Sequence, residues 1–467
     1  MIDIKIYNDV LSYAKHLETE LRQSEEEGKD VKPYIERVKH IVDMPDDDPQ
    51  KELKAAEIYD EIASQPAREG YVYVEPSSLE EIKSVRPRLE KSLIKNKNLT
   101  DEVLFDKIYG AWSGRCAGCL AGIPIEGWHK DRLLGLLKET DNYPFRFYIS
   151  GDVGEELIKK YDICQDKRMP WINNINNYIK SMPGDDDTNY TVFGLKLLET
   201  FGRDFTPIDV ANLWQAVFPV HEVCTAEKVA YKNFVNGMSP PKSANFRNPY
   251  REWIGAQIRS DFFGYINPGN PELAAEMAWR DASISHVKNG IYGEMLFAAM
   301  LAAAAVTNDM NEIIRSGLTQ IPEKSRLAEV VYWVLGLKEK GLSWEQAIEE
   351  IHLRYDEKSE HDWCHTISNA SIVCLSLIYG DSDFEKTISI AIMSAFDTDC
   401  NSATAGSIVG MIIGAKAIPE KWIKPLNNIL NSCIRDYTRL EISELASRTV
   451  KVIKKAGTIS NSTENLF

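Results

Sequence analysis

Helical periodicity dominates the chain from about Asp101 onward. Apolar residues recur at three- and four-residue spacing, which marks one face of an α-helix. Short polar, Gly- and Pro-containing segments separate these runs, and alternating strand patterns are nearly absent. The pattern predicts an all-α fold with helices over Phe105–Cys119, Thr188–Phe201, Pro207–Phe218, Pro271–Ser285, Gly293–Val306, Lys324–Lys340, Ser343–Leu353, Thr366–Tyr379, Phe384–Ala395, Cys400–Ala415 and Glu420–Asp436.

The first hundred residues follow a different pattern. A helix rich in charged residues is predicted over Tyr13–Val42, and an Asp- and Pro-rich turn separates it from a second helix over Lys51–Ser64. The segment Tyr71–Val74 reads as a short strand or an extended crossing. We therefore expect an N-terminal helical extension over residues 1–100, a compact orthogonal multi-helix domain over 101–445, and a C-terminal tail over 446–467.

Composition narrows the class of protein. The 467 residues include 44% hydrophobic and 27% charged residues, and the net charge is −16. This acidity disfavours a nucleic-acid partner. The beginning of the chain is polar, and the longest apolar run, Met295–Val306, is too short to span a membrane. Eight scattered cysteines suggest reduced thiols. These features predict a cytoplasmic protein without a membrane partner.

Two acidic motifs stand in front of apolar helical runs. The first is Asp185-Asp186-Asp187-Thr188, and the second is Asp397-Thr398-Asp399-Cys400. Carboxylates at helix N-termini interact favourably with the helix dipole, so helix capping is one interpretation. Three consecutive carboxylates repel one another, however, and a single cap residue suffices. A shared site for hard divalent cations is the favoured interpretation.

The local pattern after the second motif supports a shared site. Asp397 and Asp399 point to the same side only if their segment is extended, as at the entry to a helix. Gly406, Gly410 and Gly414 follow at four-residue spacing, although each helical glycine costs about 1 kcal/mol relative to alanine. We expect a central helix that another backbone approaches closely. The charge of five aspartates favours two cations over one.

These motifs resemble those of the ADP-ribosylglycohydrolase family. The segment Gly110–Gly122 with Ile123-Pro124-Ile125-Glu126 looks like the family's opening small-residue helix and its Pro-x-Glu end. The two acidic motifs look like its Thr-Asp-Asp-Thr and its closing Asp-x-Asp-[Ser/Thr/Cys] sequences. The resemblance covers roughly residues 101–436 and implies an all-α fold with two Mg²⁺ or Mn²⁺ ions.

The resemblance also assigns roles to individual residues. It implies metal ligands at Asp185, Asp186, Asp187, Asp397, Asp399 and Cys400. It implies catalytic roles for Asp186 or Asp187 and for Glu126, which is also a candidate for binding substrate. Two residues depart from the common family pattern. Asp185 adds a charge where many members have Thr, and Cys400 introduces a soft thiol that suits Mg²⁺ poorly.

The implied activity is hydrolysis of a glycosidic bond at the ribose C1 by metal-activated water. The substrate would be an ADP-ribosylated protein or a related ADP-ribose or N-riboside compound. Two alternatives stay open. One is a metal-dependent phosphohydrolase, whose usual His-Asp ligand pairs are represented here only by His361-Asp362. The other is a catalytically weak ADP-ribose-binding protein.

Further candidates come from two segments similar to the family's substrate cleft. One is Gly255–Arg259 and the other surrounds the polar break near His286. From them the resemblance implies substrate contacts by Gly255, Gln257, Arg259, His286 and Asn289. The pair Cys116 and Cys119 lies in the Gly- and Ala-rich helix without a second cysteine pair at suitable spacing, so close helix packing is the favoured interpretation.

Overall fold

The computed structural model describes residues 12–87, 99–163 and 179–463, and side chains as far as residue 455. The α-helices in these ranges are α1 Leu17–Glu26, α2 Ile35–Val42, α3 Pro49–Ala63, α4 Leu79–Val85, α5 Asp101–Gly122, α6 Lys130–Glu139, α7 Gly154–Lys160, α8 Asp186–Phe201, α9 Pro207–Val217, α10 Thr225–Val235, α11 Lys242–Asn245, α12 Asp261–Tyr265, α13 Pro271–Ala282, α14 Lys288–Ala304, α15 Met310–Leu318, α16 Arg326–Glu339, α17 Trp344–Arg354, α18 Glu360–Cys364, α19 Thr366–Gly380, α20 Phe384–Met393, α21 Thr398–Ile413, α22 Glu420–Ile423 and α23 Ile442–Thr463.

Two short strands, β1 Ile429–Asn431 and β2 Arg439–Glu441, form an antiparallel pair in which Leu430 faces Leu440. The predicted all-α class is thus confirmed. None of the helices in the described ranges combines the length and the apolar character needed to cross a membrane. The apolar run Met295–Val306 lies in and just after α14 and is buried throughout, because other helices cover it on every side.

Helices α5 and α21 form the centre of the domain. Glycines on the two helices face each other, so that Gly110 meets Gly410 and Gly114 meets Gly406. A methyl group added at either Gly110 or Gly114 would lie less than 3.0 Å from the facing backbone carbonyl. This close approach explains why the sequence accepts several glycines inside helices. It also places the end of α5, which Glu126 follows, against the start of α21, which carries the second acidic motif.

Two predicted helices are wrong in extent. The helix expected over Tyr13–Val42 is divided into α1 and α2, because Gly28 takes a left-handed conformation with φ of 84° and Pro33 follows. The helix expected over Glu420–Asp436 ends after one turn. Pro425 lacks an amide donor, and Asn427 adopts a positive φ of 50° before β1 begins.

The N-terminal extension has a small hydrophobic core of its own, formed by α1 to α3. Buried ion pairs attach it to the larger domain. Arg251 binds Glu20 and Glu27 with N–O distances of 2.6 Å, and Arg326 contacts Glu75 at 2.9 Å. The segment Tyr71–Val74 forms no β-strand, and its Val74 N–H donates a hydrogen bond to Lys324 O in the larger domain.

At the other end of the chain, α23 packs on the domain through buried Leu445 and Ala446, and the indole of Trp112 donates to Thr449. The helix therefore continues across the predicted boundary between residues 445 and 446. The division into three parts at 100 and 445 stays a prediction.

Candidate metal centre

Both acidic motifs lie at helix entries. Asp185 is the N-cap of α8, and its extended backbone lets its side chain accept a hydrogen bond from Asp187 N at 3.0 Å. Asp397 is the N-cap of α21, and among the described residues its side chain accepts no capping hydrogen bond. Capping therefore explains part of the first motif, and Oδ1 of Asp397 has no hydrogen-bond partner among the described residues.

The fold brings the two motifs together in one acidic cup. We define this cup by two groups of side chains that share Asp399. Each group can place one ligand atom per residue within 4.8 Å of the others. The first group is Cys119, Asp185, Asp187 and Asp399, and the second is Asp397, Asp399 and Cys400.

Arg115 compensates part of the negative charge. Its guanidinium is fully buried and donates to Asp187 Oδ1 at 3.0 Å and to Asp187 O at 2.8 Å. It also pairs with Asp261 at 2.8 Å. Because Oδ1 of Asp187 is occupied by Arg115, Oδ2 is the oxygen left towards the cup, where it lies 3.8 Å from Cys119 Sγ.

Burial raises the pKa of the cup's carboxyl groups, and repulsion by neighbouring carboxylates raises it further for Asp187, Asp397 and Asp399. The pKa of Asp399 is raised by burial and by Glu126, Asp397 and Asp185, and the pKa of Asp187 is raised despite Arg115. Oδ1 of Asp397 and Oδ1 of Asp399 are buried without a hydrogen-bond partner among the described residues. Buried, unsatisfied carboxylate oxygens in a concave acidic group fit a bound cation, which would reverse these pKa shifts.

Glu126 and Asp186 lie at the border of the cup. Glu126 follows α5 and the 3₁₀ turn Ile123–Ile125, and its side chain is exposed. The surrounding protein, Asp397, Asp185 and Asp187 raise the pKa of Glu126 to about 8. Asp186 is half-buried, and its Oδ1 accepts from Asp187 N at 3.1 Å. Five of the six predicted ligands, all except Asp186, thus belong to the two groups of the cup, and ligation by any of them stays a prediction.

The other predicted substrate residues contact protein groups. Arg259 is buried and binds Asp281 at 2.5 Å and Glu227 at 2.8 Å. Glu294 lies 3.6 Å from the same guanidinium. We call Glu227, Arg259, Asp281 and Glu294 the buried ionic cluster. These contacts leave Arg259 shielded by carboxylates, which is the arrangement of a structural ion pair.

Gly255 and His286 lie next to Glu227 of the buried ionic cluster, and Gln257 is in the same 3₁₀ turn as Arg259. A methyl group on Gly255 would collide with the carboxylate of Glu227. Nδ1 of His286 pairs with Ser285 Oγ at 2.8 Å, and its Nε2 lies 3.9 Å from Glu227 Oε1. Gln257 is buried, with neither side-chain polar atom satisfied by a described residue.

Asn289 is held by the N-terminal extension. Its Nδ2 donates to Glu75 at 2.8 Å and to Glu252 at 2.9 Å, while its Oδ1 accepts from Leu327 N. All of its side-chain polar atoms are therefore engaged within the protein. A direct substrate contact by Gly255, Gln257, Arg259, His286 or Asn289 stays a prediction.

A second set of potential metal ligands, Glu26, His361 and His365, lies where the extension meets the domain. Nδ1 of His361 accepts from the indole N–H of Trp253, and Nδ1 of His365 accepts from Ile367 N. A neutral imidazole with Nδ1 as acceptor carries its proton on Nε2. Both Nε2 atoms face Glu26 Oε2, at 3.3 and 3.7 Å, so the trio serves as a contact between carboxylate and N–H groups instead of a metal site.

Sequence patterns did not identify Asn369, which supports the second motif. Its Oδ1 accepts from Asp397 N at 3.3 Å and from Asn401 Nδ2 at 2.8 Å. Its Nδ2 donates to Trp363 O and His365 O. All of its hydrogen-bonding capacity thus holds the entry of α21 against the start of α19. A buried Asn at the beginning of an apolar helix was the available signal.

An all-α fold with a buried carboxylate cup at the entries of α8 and α21 is the arrangement that the motifs predicted for a helical glycosyl hydrolase. The family model described as ADP-ribosylglycohydrolase matches residues 100–458. The chain belongs to this family, which is metal-dependent, and it is accordingly a hydrolase that acts on glycosyl bonds of ADP-ribose compounds.

Among solved structures, the chain is similar to one described as "ADP-ribosylglycohydrolase-related protein complex". The two are 15% identical over 76% of this chain and 99% of that chain, with a TM-score of 0.43. A search of curated proteins finds no match. The family assignment rests on the family model alone.

Proposed function

We propose that this protein hydrolyses the glycosidic bond at the ribose C1 of an ADP-ribosylated protein or a related ADP-ribose or N-riboside compound. The observation that carries the proposal is the acidic cup, in which Asp399 belongs to both potential ligand groups. We further propose that two Mg²⁺ or Mn²⁺ ions occupy it and that the protein works in the cytoplasm. The unpaired state of the seven described cysteines supports that location.

The residues that would hold the cations are Asp185, Asp186, Asp187, Asp397, Asp399 and Cys400. When bound, divalent cations polarise substrate hydroxyls and supply a water nucleophile near neutral pH. The protein's part is to orient these ligands. Arg115 fixes one oxygen of Asp187, and Asn369 fixes the backbone of Asp397.

Glu126 and Asp186 are the proposed groups for proton transfer. Glu126 is exposed at the border of the cup, next to the proposed cation ligands Asp397, Asp185 and Asp187; the surrounding protein and the charges of these ligands raise its pKa when no metal is bound. Such a group suits protonation of a leaving group. Asp186 is half-buried beside it and is the proposed partner for orienting or deprotonating water.

The activity is tested with ADP-ribosyl-arginine, ADP-ribosyl-serine and simple nucleosides, each with Mg²⁺ or Mn²⁺. We expect release of ADP-ribose or free ribose, and its loss in Asp397→Asn and Asp399→Asn. Asp309→Asn is the control, because Asp309 caps α15, belongs to neither ligand group, and can be replaced by asparagine, which caps a helix equally well.

Calorimetry with Mg²⁺ and Mn²⁺ should show about two sites in the wild type and their loss in the combined Asp397→Asn and Asp399→Asn variant. Phosphate release without glycosidic cleavage would instead identify a phosphohydrolase. Binding of ADP-ribose without any turnover would identify a binding protein.

A further inference from the structure

Cys119 contributes a thiol to the acidic cup. It lies in the last turn of α5, is fully buried, and its Sγ lies 3.3 Å from Asp185 Oδ1 and 3.8 Å from Asp187 Oδ2. It belongs to the ligand group formed with Asp185, Asp187 and Asp399. The helix packing predicted for Cys119 therefore describes its backbone, while its side chain faces the first acidic motif.

A second thiol lies on the other side of the shared aspartate. Cys400 forms a ligand group with Asp397 and Asp399 and also interacts with Asp187. Each of the two groups that share Asp399 thus contains one cysteine. Asp397 and Asp399, which are 4% and 3% exposed, each keep an oxygen without a partner among the described residues. These unsatisfied oxygens are available to a bound group, because the two thiols do not satisfy them.

We infer that Cys119 is a metal ligand and that the cup binds borderline transition ions, such as Zn²⁺ or Co²⁺, in preference to Mg²⁺. Mg²⁺ favours oxygen ligands in octahedral geometry, and a thiolate is a weak ligand for it. A thiolate bonds well to zinc and cobalt, and a mixed carboxylate and thiolate set suits them. This inference rests on the proposed function's metal site and changes which ion it is expected to hold.

The alternative role for Cys119 is that of a weak hydrogen-bond donor to Asp185. A thiol is a poor donor, and a hydroxyl in its place would make a stronger hydrogen bond. Ligation by Cys119 requires loss of the thiol proton to solvent as the sulfur–metal bond forms, so that one proton is released for each thiol that binds. The two roles therefore differ in a measurable way.

The first experiment uses the full-length protein, stripped of metal with a chelator and titrated with Co²⁺. We expect a sulfur-to-metal charge-transfer absorption band in the wild type, a weaker band in Cys119→Ser, and no band in the combined Cys119→Ser and Cys400→Ser variant. Cys116→Ser is the matched control, since Cys116 is buried one turn earlier in α5 and outside both ligand groups. It should behave as the wild type.

The second experiment compares Zn²⁺ and Mg²⁺ affinities by competition calorimetry. Cys119→Ser should lower the ratio of Zn²⁺ to Mg²⁺ affinity by roughly 10-fold or more, since even residues outside the ligand set are worth 10–100-fold. X-ray absorption spectroscopy of the Zn²⁺-loaded wild type needs no variant and should show sulfur next to the metal.

An environment of oxygen and nitrogen atoms alone around the bound Zn²⁺, or an unchanged band in Cys119→Ser, would overturn the inference. The outcome is separable from that of the proposed function. Glycosidic cleavage by a protein whose bound metal has only oxygen ligands would support the proposed function and contradict ligation by Cys119. Sulfur ligation without glycosidic cleavage would support ligation by Cys119 and contradict the proposed function.

Discussion

The contact between α5 and α21 gives a prediction in which two effects of one substitution oppose each other. Gly114 lies in the middle of α5 and faces Gly406 across the helix pair. In an isolated helix, Gly114→Ala would stabilise the helix by about 1 kcal/mol, because alanine has the higher helix propensity. In this protein the added methyl group would lie less than 3.0 Å from the carbonyl oxygen and carbon of Gly406.

The steric effect should be the larger of the two. The clashing atoms belong to the backbone of a buried helix, so no side chain can rotate to relieve the contact. Relief requires the two helices to move apart, and overpacking of a tight core costs about 1–3 kcal/mol, occasionally more. With the gain in helix propensity subtracted, Gly114→Ala should lower the free energy of unfolding by up to about 2 kcal/mol.

Equilibrium denaturation with urea measures this change, and Gly336→Ala provides the control. Gly336 lies inside α16, and a methyl group there would meet no atom within 4 Å, so propensity alone should act and stabilise the protein by up to about 1 kcal/mol. The two variants should therefore shift the unfolding midpoint in opposite directions. A Gly114→Ala protein as stable as Gly336→Ala would refute the close approach of the two helices.

Three further predictions concern charge and positioning. Without metal, the stability of Glu126→Gln relative to the wild type should increase as the pH rises from about 5 to about 8. The pKa of Glu126 is raised to about 8 in the folded protein, so its carboxyl group loses its proton more easily in the unfolded chain, and the wild type loses stability over this range. Denaturation at both pH values measures the difference. Glu27→Gln breaks buried pairs of 2.6 and 2.7 Å and should cost about 3 kcal/mol, whereas Glu61→Gln, in an exposed pair, should cost less than about 1 kcal/mol by the same assay. Asn369→Ala removes the donor to two carbonyl groups and the acceptor for Asp397 N without changing the charge of the site, so metal affinity measured by calorimetry should fall; unchanged affinity would exclude a positioning role.

The sequence was most informative about features of the structure that depend on residues close together in the chain. Helical periodicity predicted the fold class, and the glycine spacing after Asp399 predicted a helix that another backbone approaches closely. Both follow from interactions within one or two turns. The predicted helix over Glu420–Asp436 failed for a local reason as well, since Pro425 was present in the sequence and its effect was underestimated.

Contacts between distant parts of the chain were beyond such reasoning. Arg326 and Glu75 are separated by 251 positions, and nothing in either local pattern indicates the other. Cys119 was interpreted as a packing residue because the rotation of α5 relative to α8 was unknown. Arg115 did carry a signal, since an arginine within a helix of small residues must find a buried partner. The pattern indicated that a partner exists without identifying Asp187.

The acidic cup connects folding with metal binding. Folding brings at least five carboxyl groups together. Burial raises the pKa of Asp185, Asp186, Asp187, Asp397 and Asp399, and repulsion by neighbouring carboxylates raises it further for all of these except Asp185. The packing of α5 against α21 must therefore hold an arrangement that is unfavourable when these groups are charged. A cation bound in the cup removes that repulsion only in the folded state, because the two motifs are separated in the unfolded chain. Metal binding should consequently stabilise the fold, and most strongly at the pH values where the carboxyl groups are ionised.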